Sequence, residues 1–404
     1  MNARTLALLM MLGSAVAACA SSDPTKPTST ASGAGGAGGT GGSGIGGAPA
    51  SSSSSTSDVA TSSTSSSSAG TGGAEPLAAV HFLGRFDLTD PQAPGFSWPG
   101  TAIVTRFSGA GLVVNLHDSG NNFFAVSIDG AAPTVLATSD AKDTYPLAQG
   151  LPEGEHDAML FRRTESFQGI VHFHGFTPTG GKALIPTPPP FQRHIELIGD
   201  SITCGYGNDG VGPSCGFTAA TENAWLAYGS VAARAMKAEA RVIAYSGKGI
   251  YRDGTGNTSD QMGALYERTY ADVPGSTWDF GAWTADVVVV NLGTNDFGPG
   301  DPGQAYVDAY SAMIKQIRGH YPHAYIVGTV GPMMYGPNRI KNIEYVQSAV
   351  ATANAGGDPR VSFVDFGVQD GNVGGYGCDY HPSAATDQLM ADKLTAAIKA
   401  LTGW

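Results

Sequence analysis

Between Ala78 and about Pro178 apolar and polar residues alternate in short runs: "AVHFLGRFDL", "GTAIVTRFSG", "AGLVVNLHD", "NNFFAVSIDG", "APTVLATS", "EHDAMLFRRT" and "GIVHFHGFTP". A period of two puts every second side chain on one face of a strand. Asp-Gly, Ser-Gly and Asp-Pro turns break the runs at regular intervals, and no helical stretch intervenes. The pattern predicts a small all-β sandwich of jelly-roll type over residues 76–180. Then comes "IPTPPPF", Ile185 to Phe191. Prolines neither pair normally in a sheet nor sit inside a helix, so 181–191 reads as a stiff connector. After Phe191 the period changes. "HIELIGDS" reads as strand then turn, and a helix is expected from about Glu222 to Lys237, followed by a strand. "ADVVVVNLGTND" is a β-branched run suited to a strand buried on both faces. Helix, strand, helix, strand and a closing helix follow, in "GQAYVDAYSAMIKQIRGHYP", "AYIVGTVG", "NIEYVQSAVATANA", "VSFVDF" and "TDQLMADKLTAAIKALTG". Residues 192–404 therefore read as an α/β body with a parallel sheet flanked by helices. In such sheets the site lies beyond the carboxyl ends of the strands, where Ser201, Gly247, Asn295 and His381 all fall.

Ahead of these bodies the pattern is of another kind. Arg4 and an apolar stretch from Leu6 to Val16 read as an export signal, too short to span a bilayer. It ends Val16-Ala17-Ala18-Cys19, which resembles a bacterial lipobox with Cys19 lipidated; an ordinary signal peptide cleaved nearby is the alternative. Ala20 follows rather than aspartate, so an outer-membrane or cell-surface lipoprotein is expected, with free secretion as the other outcome. Residues 20–75 are nearly all Ser, Thr, Gly and Ala and have little to bury. As a flexible tether they would reach on the order of 40 Å. No other segment has the length and apolarity of a membrane span.

Composition narrows the partners. The formal charge is -12, only 14% of residues are charged, and no basic run occurs, which argues against nucleic acid and for neutral substrates. No Cys/His spacing suits zinc, and Asp209 and Asp253 lack the spacing of a calcium loop, so no metal or organic cofactor is expected. With Cys19 lipidated, Cys204, Cys215 and Cys378 remain, enough for one bridge and one free thiol. Cys204–Cys215, closing a short loop, is the favoured pair, and Cys204–Cys378 the competitor.

The chemistry lies in four segments. In "IELIGDSITCGYG" Ser201 stands where a strand stops and a turn begins; it is either a nucleophile or a helix cap beside Asp200. In "GCDYHPSA" His381 has the pKa to take a proton from a serine and return it to a leaving alcohol, with Asp379 two residues earlier available to orient it. In "NLGTND" Asn295 offers an amide to an oxyanion, unless it forms an Asx turn. In "YSGKGIYRDG" the Gly247 N–H offers a second donor, unless the segment is a plain turn. A serine hydroxyl needs an adjacent base, and carbonyl attack needs donors where the oxyanion forms.

Taken together and in this order, the four segments resemble the SGNH (GDSL-like) hydrolases over roughly residues 192–404. That superfamily commonly places its aspartate three residues before the histidine, and Asp379 is two before His381. With a β-sandwich ahead of them, "TENAW" at Thr221–Trp225 and the "CDYHPS" ending, the chain resembles carbohydrate esterase family 2 from about Ala78 onward. The resemblance implies a serine acetyl esterase acting on plant polysaccharides such as acetylated xylan and glucomannan. Ser201 and His381 would be catalytic, and Ser201, Gly247 and Asn295 would form the oxyanion site. Some members use an aspartate side chain at the place of Asp379 and others a main-chain carbonyl, and both remain open. It also nominates Tyr251 and Tyr335 as sugar platforms, although either tyrosine suits plain packing; Trp225 fits better in a helix core facing the sheet. A monomer is expected. The rival readings are an SGNH esterase or lipase on other acyl esters, and a non-catalytic carbohydrate-binding protein.

Overall fold

Among the described residues the first body forms ten strands: Val80–Leu83 (β1), Gly95–Phe96 (β2), Ala102–Ser108 (β3), Leu112–Asp118 (β4), Phe123–Ile128 (β5), Thr134–Ala137 (β6), Thr144–Ala148 (β7), Glu155–Arg162 (β8), Val171–Pro178 (β9) and Leu184–Ile185 (β10). They build two antiparallel sheets, one ordered β1-β3-β8-β5-β6 with β10 added to β3, the other β2-β9-β4-β7. Inward residues such as Phe107, Leu112, Val114, Leu116, Phe124 and Val171 are fully enclosed between them. This is the expected sandwich. β2, β7 and β10 lie outside the seven alternating runs: β2 and β10 are two residues each, and β7 is an edge strand carrying Pro146 and pairing only with β4.

The second body alternates as expected: His194–Gly199 (β11), Ser201–Cys204 (α1), Tyr228–Ala235 (α2), Glu239–Ala244 (β12), Met262–Leu265 (α3), Val287–Asn291 (β13), Gln304–His320 (α4), Tyr325–Val330 (β14), Gly336–Ala355 (α5), Val361–Asp365 (β15) and Ala384–Thr402 (α6). All pairs in the sheet are parallel, in the order β12-β11-β13-β14-β15. Strand order reverses between β11 and β13, which opens a crevice at their carboxyl ends. Val287–Val290 are fully buried, with α4 and α5 packed on one face of the sheet and α2 and α6 on the other.

The structure, a computed structural model, describes residues 78–404. The expected signal segment 1–19 with Cys19, the tether 20–75 and the first residues of the expected sandwich lie outside the described residues. Among the described residues no helix is long and apolar enough to cross a membrane.

Three expectations are corrected. The expected connector 181–191 pairs with the sheet over part of its length: Leu184 and Ile185 pair with β3, and Thr187 bridges to Ala78. The helix expected from Glu222 begins only at Tyr228, since the preceding turn is held by the sandwich, with Ala224 N–H donating to the Arg163 carbonyl at 3.0 Å and Arg163 Nε to that of Glu222 at 3.3 Å. Trp225 accordingly packs edge-on against Phe161 of the sandwich and under the Arg234 guanidinium rather than against the sheet. The two bodies also share a fully buried ion pair, Arg85 to Glu196 at 3.2 Å, in which Tyr266 donates to Glu196 at 2.7 Å.

Candidate active site

Ser201 opens α1 directly after the central strand β11. Asp200 caps this turn. Its Oδ1 accepts from Ile202 N–H at 3.1 Å, and its carbonyl accepts from the N–H groups of Thr203 and Cys204. The Ser201 N–H has no partner among the described residues. Capping therefore belongs to Asp200, and the Ser201 hydroxyl is left for His381, whose Nε2 lies 2.8 Å from Oγ.

The histidine segment is stitched to the chain just beyond Ser201. Cys378 N–H donates to the Gly207 carbonyl at 2.9 Å, Asp379 N–H to that of Cys215 at 2.9 Å, and Ala384 N–H to that of Asn208 at 3.0 Å. Gly207 sits at φ 58°, and a Cβ there would lie 2.7 Å from that of Cys378, so a side chain would push the two segments apart. A disulfide joins Cys215 to Cys378. Both pairings anticipated from sequence used Cys204 and both are wrong, because Cys204 points from α1 into the buried core as a free thiol. Enclosure pushes that thiol well above its ordinary range, as do the charges of Glu165, Glu222 and Asp200.

His381 stacks on Tyr206, with ring centroids 4.1 Å apart. Burial pulls the imidazole down to about 4, against the opposing pull of the Asp379 carbonyl and charge and of the Cys378 carbonyl. Nδ1 is enclosed and makes no complete hydrogen bond among the described residues. The Asp379 side chain does not supply one. Its Oδ2 accepts from Tyr206 Oη at 2.8 Å and from Phe217 N–H at 3.1 Å. The sequence expectation of an Asp379 carboxylate orienting the imidazole is thus not met by a hydrogen bond; the carboxylate holds the aromatic ring that backs the histidine. Asp379 and Tyr380 both adopt positive φ, 49° and 59°, a local strain placed beside His381.

The other two segments meet at the same edge. Asn295 Nδ2 donates to the Lys248 carbonyl at 3.0 Å and, at a longer 3.3 Å, to Asp200 Oδ2. Asp200 is fully buried and raised to about 7 by desolvation, so one carboxyl links the first and third segments. The neighbouring Asp296 accepts from the N–H groups of Ile250, Tyr251 and Arg252 at 2.8–3.1 Å and ties down the second segment. Gly247 has φ 80°, open space where a side chain would stand, and an N–H without a partner among the described residues. Tyr251 is half-buried against the sheet core, while Tyr335 is exposed at the start of α5.

Residues 82–188 match the family described as Carbohydrate esterase 2 N-terminal, and residues 197–389 match the GDSL-like Lipase/Acylhydrolase family. A protein of Cellvibrio japonicus described as acetylxylan esterase / glucomannan deacetylase is 30% identical over 328 residues, covering 78% of this chain and 87% of that protein. The solved structure of a family two carbohydrate esterase from Clostridium thermocellum in complex with cellohexaose is 40% identical and aligns with a TM-score of 0.77, over 80% of this chain and 99% of that one. The chain belongs to carbohydrate esterase family 2. The cellulase/esterase CelE of Acetivibrio thermocellus is likewise 40% identical over 326 residues, and there the chain spans only 40% of the relative's length. Membership accounts for the pairing of sandwich and SGNH body, since one family description covers each part.

Within this family 2 fold, three side chains at the site escaped the sequence reading. Tyr206 was hidden in a glycine-rich turn. Tyr380, 63% exposed immediately before His381, was read only as part of a motif. Glu165 lies in the sandwich, outside the SGNH segments altogether. Its one signal was the charged run Arg162-Arg163-Thr164-Glu165 continuing an apolar strand, and all four residues are buried.

Proposed function

We propose that the chain is a serine esterase that removes O-acetyl groups from plant polysaccharides, with acetylated xylan and glucomannan as the substrate class. The observation that carries the reading is the 2.8 Å contact between Ser201 Oγ and His381 Nε2 at the carboxyl edge of the sheet. It is supported by the relatives described as acetylxylan esterase / glucomannan deacetylase. In this reading His381 takes the Ser201 proton as Oγ bonds to the acetyl carbon. The N–H groups of Ser201 and Gly247 and the Asn295 amide hold the oxyanion, the amide giving up its long bond to Asp200. His381 then protonates the departing sugar oxygen. Water, deprotonated by His381, attacks the acetyl-enzyme, acetate leaves, and the proton returns to Ser201. His381 works as a dyad base with main-chain carbonyls beside it, and Asp379 acts through Tyr206. The exposed tyrosines 335 and 380 offer flat faces to sugar rings. Cys19 anchors the protein to an outer membrane or cell surface through its lipid, a reading that rests on the Val16–Cys19 sequence. Acetate release from acetylated xylan and acetylated glucomannan by wild type and Ser201→Ala tests the proposal. Release by wild type and its loss in the variant are expected; equal release by both would sink it. Retention of both proteins on insoluble polysaccharide without any release would favour the binding reading instead.

A further inference from the structure

The sandwich reaches the site with one fully buried carboxylate. Glu165 follows β8, and its two oxygens take both hydrogen-bond donors of a single residue of the catalytic body. Oε2 accepts from Ser246 N–H at 2.7 Å and Oε1 from Ser246 Oγ at 2.5 Å. Two bonds from one residue to one carboxylate leave Ser246 no freedom to rotate about its backbone or its side chain. The next residue is Gly247.

The surroundings hold Glu165 itself rigid. Arg162, fully buried, donates to the Glu165 carbonyl at 2.9 Å and to that of Gly169 at 2.8 Å. Glu165 N–H donates to Glu222 Oε2 at 3.0 Å, and the Cys204 thiol of α1 lies 3.6 Å from Glu165 Oε2. The three side chains Glu165, Cys204 and Glu222 offer atoms within 4.8 Å of one another, all buried. Burial drives both carboxyls up, that of Glu222 also through the Glu165 charge, while the bonds from Ser246 and Cys204 oppose the shift at Glu165. Arg163 joins this segment to the turn before α2, donating to Asp209 at 2.7 Å and to the Ala220 carbonyl at 3.2 Å. On its far side the same catalytic loop is held by Asp296 at residues 250–252. Gly247 thus stands between two buried carboxylate anchors with its N–H unclaimed.

We infer that Glu165 is a positioning residue for the Ser246–Gly247 main chain, so that the β-sandwich is part of the catalytic apparatus and not an appendage. The inference rests on the reading of Gly247 as an oxyanion donor. Removing a whole donor lowers turnover by about 10²–10³-fold; loosening its support costs part of that. Glu165→Ala is expected to lower kcat on 4-nitrophenyl acetate by about 10–100-fold with KM changed less than about threefold. Glu165→Gln keeps an acceptor for Ser246 N–H and a partner for Oγ, and is expected to recover most of kcat. A second readout separates positioning from general loosening. An oxyanion site discriminates a carbonyl oxygen from the poorer acceptor sulfur. The ratio of rates on 4-nitrophenyl acetate and its thionoester is therefore expected to shrink in Glu165→Ala and to be restored in Glu165→Gln. Thermal unfolding of each variant shows which are folded at the assay temperature, and Ser246→Ala, which removes only the Oγ bond, serves if Glu165→Ala is not. A folded Glu165→Ala with kcat within threefold of wild type and an unchanged ester-to-thionoester ratio overturns the inference. For Ser246→Ala, an unchanged ratio and kcat do the same. If wild type releases no acetate, or Ser201→Ala still does, the esterase reading fails instead, so the two failures are told apart.

Discussion

The Cys215–Cys378 bridge closes a loop across 163 residues of sequence and ends three residues before His381. Replacing both cysteines by alanine frees the unfolded chain to explore what the bridge forbids. By the chain-entropy relation, −2.1 − 1.5R ln n cal/mol/K for a loop of this length, the lost stabilisation is about 5 kcal/mol at 25 °C, and native bridges commonly give about 2–5. A drop of about 3–5 kcal/mol in unfolding free energy is expected for Cys215→Ala/Cys378→Ala, read from the urea midpoint. Activity is expected to suffer far less at a temperature where the variant stays folded. The bonds from Cys378 to Gly207, from Asp379 to Cys215 and from Ala384 to Asn208 still hold the histidine segment against the serine segment, so kcat/KM is expected to fall by less than about tenfold. Thiol labelling completes the test. In the oxidised native protein Cys204 resists labelling because it is enclosed and its thiolate is disfavoured, and after unfolding without reductant Cys204 alone among these three is labelled. A non-reducing peptide map that links Cys204 to either partner, or a double variant as stable as wild type, would refute the reasoning.

Further outcomes are open to measurement. Arg85→Ala leaves Glu196 charged and buried at the junction of the two bodies; a loss of about 3–5 kcal/mol is expected from urea unfolding, and a change under 1 kcal/mol would contradict the role given to the pair. Because burial lowers His381 to about 4, the base stays neutral well below the ordinary imidazole range, so kcat/KM should hold from pH 7 to about 5 and fall only as pH drops through about 4; a half-maximum near 6.5 would show an imidazole without that enclosure. Asp379→Asn should lower kcat/KM by less than about tenfold, because the carboxylate bonds Tyr206 and Phe217 rather than the imidazole, whereas a triad aspartate is worth about 10⁴ in kcat; a loss above 10³ would restore the triad.

Particular residues show what was readable in the sequence. Val287–Val290 announced a strand because a parallel strand covered on both faces needs apolar side chains at every position. Ser201 and His381 were legible because a nucleophile and a base are the chemical types the proposed acyl transfer needs, and the fold brings them together across 180 residues of sequence. What failed depended on tertiary partners. The helix expected at Glu222 yields its first turn to Arg163, whose bonds to that turn come from a different body. Ile185 reads as part of a proline spacer until its partner Arg106 on β3 is known. Cysteine pairing could not be read from spacing, since the direction in which Cys204 points is set by α1 packing on the sheet core. The Asp379 carboxylate was assigned by proximity in sequence, and positive φ at two successive residues turns it away from the ring it was expected to orient.

In the proposed mechanism an acetyl group passes through Ser201 as a covalent ester. Rapid quenching of the enzyme with 4-nitrophenyl acetate, followed by mass spectrometry of the peptide containing Ser201, tests it most directly. An acetyl mass on that serine is expected to form and decay at the rate of turnover and to be absent in Ser201→Ala. Turnover with no acetyl on Ser201 at any time, and with full activity in Ser201→Ala, would contradict it.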